Sequence, residues 1–131
     1  MTIDEKLLAI WAADGTATAL VPAKQFKVPG NWQGTATPYV IQYPIAERAY
    51  HAHNNNGAVQ KLRVWEIYQL SIIADSYSSA LAVAEKMRTL FNGNIGGVQF
   101  FYLGQRWVGQ DEVVMTEHIA VEFKIAETLA A

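Results

Sequence analysis

Within residues 61–92 the spacing of hydrophobic residues changes from that of a β-strand to that of an α-helix. This change constrains the fold more than any other feature of the sequence. Residues 62–74 are mostly β-branched, aromatic or aliphatic, a composition that favours a β-strand. In the second half of this run, four apolar residues alternate and are predicted to share one face: Tyr68, Leu70, Ile72 and Ala74. The first half carries large residues on both faces, so we expect both faces to be covered there, for example by another subunit.

After Asp75 the apolar residues recur at spacings of three and four, which is typical of an amphipathic helix. They are Ala80, Val83, Ala84, Met87, Leu90 and Phe91. The side chain of Asp75 or Ser76 can accept a hydrogen bond from the first-turn N–H groups, and Asn92-Gly93 can end the helix. The sequence therefore predicts a strand followed at once by a helix that lies across a small sheet.

The N-terminal segment predicts a short helix and then a long loop. Thr2 and Glu5 match a capping box, and an apolar stripe accompanies it: Ile3, Leu7, Ile10 and Trp11. We expect this helix to end near Asp14. Residues 16–38 contain three prolines and are interpreted as an extended loop with at most one short strand near residues 25–28. Long loops of this kind commonly form interfaces or carry function.

A long hairpin is predicted next. Residues 39–45 alternate and form its first strand, in which Pro44 marks an edge or the end. Residues 46–60 are polar and contain the turn signal Asn56-Gly57, so they are interpreted as the tip of the hairpin. The strand that begins near Lys61 then forms the second arm.

The last third of the chain predicts three further strands. Residues 98–103 form one strand, a tight turn follows at Gly104-Gln105, and residues 107–115 form the returning strand. In residues 118–126 apolar positions alternate with others, which predicts one buried and one solvent-exposed face. The whole pattern predicts an α+β fold: a mostly antiparallel sheet with a long hairpin, one main helix packed on one face and a short N-terminal helix.

Composition limits the class of protein. A chain of 131 residues with 51% hydrophobic residues is expected to form one domain, residues 1–131, with a substantial core. Its formal net charge is −2 and no basic run stands out, whereas general nucleic-acid binding requires a concentrated positive surface. Only 17% of the residues are charged, below the usual quarter or so, which favours a surface partly buried against copies of the same chain. The alternative is a monomer with a polar, uncharged surface.

Cysteine is absent, which excludes disulfides and thiolate chemistry and fits a reducing compartment. The first residues are acidic and lack the basic and apolar regions of a signal peptide. No run of 18 apolar residues predicts a membrane span. We therefore expect neither a signal peptide nor a membrane partner.

No residue pattern predicts catalysis. His51 and His53 would share one face of a strand and could reach one metal ion, but no third ligand accompanies them, so solvent-facing histidines are the favoured interpretation. Asp111 and Glu112 are neighbours, and neighbours on a strand point to opposite faces, so they do not converge as an acid–base pair. We expect a protein without enzymatic activity, cofactor or metal.

Several short motifs occur in a recognisable order. They are Pro38-Tyr39-Val40-Ile41, a polar loop, an arginine-led strand from Arg63, Asp75-Ser76-Tyr77, and a helix with Ala80, Ala84, Glu85 and Arg88. An alternating strand, residues 118–126, then closes the chain. In this order the chain, from about Pro38 onward, resembles the small tail-completion and tail-terminator proteins of long-tailed bacteriophages.

The resemblance implies a structural virion protein that forms a homo-oligomeric ring, expected to be a hexamer, at the head-proximal end of the tail tube. Such a ring would stop tube growth and provide the head-joining surface. Its partners would be other copies of itself, the tail tube protein and the head connector or neck proteins. DNA would pass through the lumen without sequence-specific contacts, and assembly would take place in the cytoplasm of the host bacterium.

Two groups of residues are expected to function in such a ring. The hairpin tip would reach the lumen or a neighbouring subunit through four residues: Arg48, Tyr50, His51 and His53. Subunit contacts would use three others: Trp32, Arg63 and Trp65. The alternative interpretation is that all seven decorate a loop and a strand edge without a specific role.

Three other classes of protein stay open on the sequence. A neck or tail-tube protein of the same fold would also form rings, and a tube protein would polymerise into long stacks. A cellular binding module would remain a monomer or a dimer. An enzyme would depend on the pair formed by His51 and His53 and would hold a metal.

Overall fold

The computed structural model describes residues 3–27, 36–51, 61–111 and 115–130. The helices are α1 (Ile3–Ala12), α2 (Gly15–Leu20) and α3 (Tyr77–Leu90), with a 3₁₀ turn at Ala23–Gln25. The strands are β1 (Phe26–Lys27), β2 (Tyr39–His51), β3 (Lys61–Ala74), β4 (Gly93–Ile95), β5 (Val98–Asp111) and β6 (Thr116–Ala130). Among the helices of these described ranges, none is long and apolar enough to cross a membrane.

The six strands form one sheet in the order β1-β2-β3-β6-β5-β4. The short β1 runs parallel to β2, and every other neighbouring pair is antiparallel. Helix α3 packs on β3 and β6, the two central strands. The predicted α+β class is therefore confirmed, including the long hairpin, the main helix on one face and the short N-terminal helix.

The face of the sheet that carries the helices is the hydrophobic core. The alternating residues predicted for β3 are all buried there: Tyr68, Leu70, Ile72 and Ala74. Their counterparts on β6 are buried on the same face: Ile119, Val121, Phe123 and Ile125. Helix α3 begins at the predicted cap, because the Ser76 hydroxyl accepts a hydrogen bond from the N–H of Ser79 at 3.2 Å. At the other end of this helix, the Phe91 ring lies 5.7 Å from the Phe100 ring and 5.8 Å from the Phe123 ring.

The segment after α1 differs from the prediction of an extended loop. Asp14 caps a second helix, α2, because its carboxylate accepts hydrogen bonds from the N–H groups of Thr16 and Ala17. Trp11 of α1 holds the end of α2 in place, because its indole N–H donates a hydrogen bond to the carbonyl of Val21 at 2.9 Å. The predicted short strand does occur, as β1. The prediction failed at α2 because a six-residue helix is too short to show a clear period.

The hairpin arm formed by β2 is longer than predicted. Residues 46–51 were expected in the tip, but β2 continues to His51 and pairs with β3 as far as Leu62. The ladder shifts its register between Pro44 and Ala46, where proline has no N–H to donate. Polar composition suggested a loop, yet a two-stranded ladder satisfies the backbone whatever the side chains are. The turn at Asn56-Gly57 lies outside the described residues.

A correction concerns β5, which was predicted as two strands separated by a turn at Gly104-Gln105. It is one strand with two bulges, since its register with β6 shifts between Tyr102 and Gly104 and again between Trp107 and Gly109. Both glycines have φ near +150°, at 156° and 150°. A glycine can absorb an extra residue inside a strand as readily as it can reverse the chain. A separate reversal at Gly96-Gly97, within the glycine-rich stretch 93–97 where a turn is also predicted from the sequence, joins β4 to β5.

The second face of the sheet, here called the outer face, is less exposed than predicted. The residues of β6 that alternate with the core were expected to be wet, but Ala120 and Ala126 are buried. Ser71 on β3 and Ile41 on β2 are buried in the same row as Ala120. Small residues on a sheet are covered by longer neighbours, and Arg106 is paired beside Ala120. The outer face therefore has buried residues of its own, most of them apolar.

Replacing Trp11 by phenylalanine should destabilise the chain by about 2–4 kcal/mol, because the Val21 carbonyl loses its donor and a buried ring becomes smaller. The matched control is Trp107→Phe, which removes an indole hydrogen bond at an exposed position and should cost less than about 1 kcal/mol. Urea unfolding followed by circular dichroism in dilute solution measures both. Equal losses would show that the indole of Trp11 does not hold the α1–α2 turn.

The carboxyl group of Asp14 should titrate far below its usual range. Hydrogen bonds from Thr16 and Ala17, followed by the ammonium of Lys86 at 3.4 Å, lower its pKa from 3.8 to about 2. The resulting stabilisation is present above pH 3.8 and is lost as the pH falls towards 2. Carbon-13 NMR of the carboxyl group should give this midpoint. Asp14→Asn, which can still cap α2, should reduce the acid sensitivity of unfolding, and an unchanged sensitivity would contradict the assignment.

Candidate assembly interface

Five of the seven predicted residues lie on the described part of the β2–β3 hairpin: Arg48, Tyr50, His51, Arg63 and Trp65. Arg48 pairs with Trp65, and Tyr50 pairs with Arg63, along the backbone ladder. His51 is the last residue of β2. Described members of the expected lumen group are therefore paired along the backbone with members of the expected contact group. Their roles stay predictions.

Trp32 and His53 lie outside the described residues. Because His53 is one half of the histidine pair, the structure does not bear on a site formed by His51 and His53. Within the ranges that the structure describes, no group of three or more histidine, cysteine, aspartate or glutamate side chains could hold a metal ion. Glu117, on β6, accepts a hydrogen bond from the Trp107 indole at 2.7 Å.

Strand β5 is the surface that sequence reasoning missed. Strand β4 pairs with it only at Val98–Phe100, and beyond that point the described residues provide no strand on its outer side. Five large apolar side chains of this free edge are exposed: Phe101, Tyr102, Leu103, Trp107 and Val108. Their exposed fractions lie between 39% and 56%, and a free, apolar strand edge is a ready template for contact with another chain. The sequence analysis missed this surface because the turn predicted at Gly104 divided one long strand into two short ones.

The aromatic residues of the β5 edge have polar partners within the chain. The Lys124 ammonium lies 5.9 Å from the Phe101 ring centre, and the Arg88 guanidinium lies 5.8 Å from that of Tyr102. Trp107 is held by its hydrogen bond to Glu117. Each of these three rings is therefore oriented by its own chain.

Leu103 and Val108 are the two residues that the bulges of β5 add to the strand. Each stands immediately before a glycine whose partner on β6 lies on the outer face: Gly104 pairs with Glu122, and Gly109 pairs with His118. About half of each side chain is exposed, 50% for Leu103 and 45% for Val108. An aliphatic side chain has no polar tip to hydrate, so this exposure is less favourable than that of the neighbouring tyrosine and tryptophan.

At the opposite side of the sheet an open groove runs along the outer face of β2 and β3. Its volume is about 440 Å³. The apolar part is formed by Ile41, Pro44, Ile45 and Ile73, and the polar part by Tyr43, Gln69, Ser71 and His118. We call this surface the β2 groove. It contains no carboxylate and no lysine or arginine, and the Gln69 amide donates to the Ser71 hydroxyl at 3.0 Å within it.

His118 closes the upper end of the β2 groove in its neutral form. Burial and the nearby Arg106 guanidinium both lower the pKa of its imidazole from 6.5. Its Nε2 atom is buried and has no hydrogen-bond partner among the residues that the structure describes. The groove therefore presents an uncharged surface at neutral pH, as an apolar partner requires.

Comparison with known proteins identifies a similar fold but no matching family. No protein-family model matches the chain, and no curated protein matches it. A solved structure shares its fold. That structure is described as the virion of a native gene transfer agent (GTA) particle, and one of its chains superposes with a TM-score of 0.67. The similarity covers 98% of this chain and 95% of that chain at 19% sequence identity.

The lowered pKa of His118 predicts how stability depends on pH. The unfolded chain binds a proton at this residue near pH 6.5, whereas the folded chain binds it only at lower pH, so the folded state loses stability as the pH falls through that range. Wild type should therefore lose more unfolding free energy than His118→Gln between about pH 7.5 and about pH 5.5. Urea unfolding at both values measures this difference, and parallel losses would contradict the burial of the imidazole.

Proposed function

We propose that this chain is a structural virion protein that forms a ring at the head-proximal end of a phage-type tail tube. The ring ends tube growth and provides the surface to which the head joins. Residues 1–131 act as one tail-terminator-like domain, and the expected oligomer is a hexamer. The chain carries out no reaction and takes no cofactor in this role.

The observation that carries the proposal is the fold shared, over 98% of the chain, with a protein of the gene transfer agent virion. Two properties of this chain support it. Its β5 edge exposes a row of apolar side chains that a monomer would have no reason to keep. Its content of charged residues, 17%, also fits a surface that is partly covered by other copies.

The proposed partners are the neighbouring copies of the chain, the tail tube protein on one side of the ring, and the head connector or neck proteins on the other. DNA passes through the lumen, and a net charge of −2 suits passage without tight or sequence-specific binding. The hairpin residues Arg48, Tyr50, His51 and His53 are proposed to reach the lumen or a neighbour. Trp32, Arg63 and Trp65 are proposed at subunit contacts. The ring would assemble in the bacterial cytoplasm and remain in the virion.

A neck or tail-tube protein of the same fold is the second candidate, because the shared fold supports any ring-forming virion component. The two are separated by how assembly ends. A tube protein adds ring upon ring, whereas a terminator stops after one ring. A cellular binding module would form no ring at all.

The proposal predicts discrete closed rings. Light scattering over a range of protein concentrations, followed by negative-stain electron microscopy, should show a single closed species, or a monomer that forms one ring at the end of added tail tubes. Tubes capped in this way should stop growing when more tube protein is supplied. Long stacks would favour the tube protein, and a monomer or dimer that ignores tubes would refute the proposal.

A further inference from the structure

We propose that, in the ring, the β5 edge of one copy packs into the β2 groove of the next, with Leu103 and Val108 as the inserted side chains. This inference rests on the proposed function and specifies its subunit contact. It is heterologous, because the two surfaces lie on opposite sides of the same sheet. A contact of that kind, repeated by rotation, gives a ring when the rotation closes.

The first support is that the two surfaces lie at the same height along the strands. Residues paired across the sheet form rows, and one row crosses all four long strands: Pro44, Tyr68, Phe123 and Tyr102. Leu103 follows Tyr102 directly. Ile45, the exposed end of the β2 groove, follows Pro44 directly. Leu103 and Ile45 are therefore each one residue away from this row, at its two opposite ends.

A second row places the other ends of the two surfaces together. It consists of Tyr39, Ile73, His118 and Gly109. Val108 precedes Gly109, and Ile73 with His118 forms the upper end of the β2 groove. The rows stand five residues apart on β3, roughly 17 Å. Leu103 and Val108 lie just inside these two rows, next to the glycines paired with Glu122 and His118, so both side chains fall within the length of the groove.

The second support is that the surfaces match in chemistry and face. Leu103 and Val108 stand beside glycines paired with outer-face residues, and the β2 groove opens on the outer face. The groove is lined by apolar, hydroxyl, amide and neutral imidazole groups, and the two inserted side chains are aliphatic. Removing the exposed half of each aliphatic side chain from water would favour the contact.

The contact is one of side chains and not a long backbone ladder. Strand β1 already covers β2 at Val40 and Ile41, and β4 covers β5 at Val98–Phe100. The free lengths of β2 and β5 therefore overlap in only a few rows. Pairing them fully would require one copy to slide along the strands. Pro44 and the β5 bulges further interrupt such a ladder, whereas they leave the groove and the two side chains accessible.

Another copy fits the β2 groove better than a small ligand does. Small-molecule sites enclose most of the ligand surface, and this groove is open along one side. The chain itself supplies exposed aliphatic side chains at the corresponding rows of its other edge. The same interface accounts for the exposure of Leu103, Val108 and Ile45, whose exposed fraction is 51%.

Charged variants test the contact and its direction. Leu103→Asp with Val108→Asp damages only the β5 edge, and Ile45→Asp damages only the β2 groove. Each variant alone should lose rings at least about tenfold, because a carboxylate would be buried without a partner. An equimolar mixture should form 1:1 dimers and stop, since one intact edge then meets one intact groove. Tyr77→Asp, at an equally exposed apolar residue on α3 (48%), is the control and should form rings as wild type does.

Cross-linking gives a second measurement that does not require stable rings. The chain contains no cysteine, so single cysteines can be placed on a clean background. Leu103→Cys mixed with Ile45→Cys should give a heterodimer with a short bis-maleimide, whereas each variant alone, or Tyr77→Cys mixed with Ile45→Cys, should not. The double variant should give a ladder that ends at the ring number.

The outcomes separate the contact from the proposed function. Rings that survive the aspartate substitutions, or a mixture that yields no heterodimer, would overturn the contact and leave the ring in place. A homodimer of Leu103→Cys would show a symmetric β5–β5 contact and would also overturn it. Wild type that forms no ring under any condition refutes the proposed function, and the cross-linking result then decides the contact by itself.

Discussion

The structure depends on the burial of one face of the sheet beneath a helix that is narrower than the sheet. Helix α3 covers the central strands β3 and β6, and its end packs Phe91 against Phe100 and Phe123. A helix is about 10 Å across, whereas six strands span roughly 24 Å from first to last. A single helix of this width cannot cover the sheet from one edge strand to the other. The far half of β5 is therefore left outside the core, and its apolar residues are exposed.

An exposed strand edge can pair with other chains and cause aggregation. In this chain, irregularities in β2 and in β5 limit such backbone pairing. Pro44 removes a backbone donor from β2, and two bulges interrupt the ladder of β5. The same irregularities place Leu103, Val108 and Ile45 where side chains can meet. Interruption of the backbone ladder and presentation of aliphatic side chains thus come from the same residues. This suits a contact that must form in one geometry and stop.

The outer face has a different role from the core face. Its floor of small residues, Ser71 and Ala120, lets longer side chains lie over it. His118 stays neutral there because burial and Arg106 both disfavour its charged form. A neutral groove can accept an apolar neighbour without leaving a charge unpaired. The neutral lining of the groove is therefore compatible with the proposed contact between copies.

Much of the core could be predicted from the sequence, because periodicity is local. The alternation of β3 and β6 and the capped helix after Ser76 follow from spacing alone, and all three are present. The polar end of β2 and the six-residue α2 could not be predicted, because one depends on pairing with β3 and the other on Asp14 as a cap. The candidate interface was missed for a related reason. Gly104 and Gly109 are compatible with either a turn or a bulge, and only the ladder with β6 selects the bulge.

The sequence by itself determined which residues form the core, where the main helix begins, and that catalysis has no recognisable motif. These properties depend on residue type and on spacings of two to four residues. Only the tertiary structure decided that β5, beyond Phe100, has no neighbouring strand among the described residues, and that the β2 groove lies in the same rows on the other side of the sheet. Both facts depend on the order and register of strands distant in sequence, which the burial of the shared core establishes.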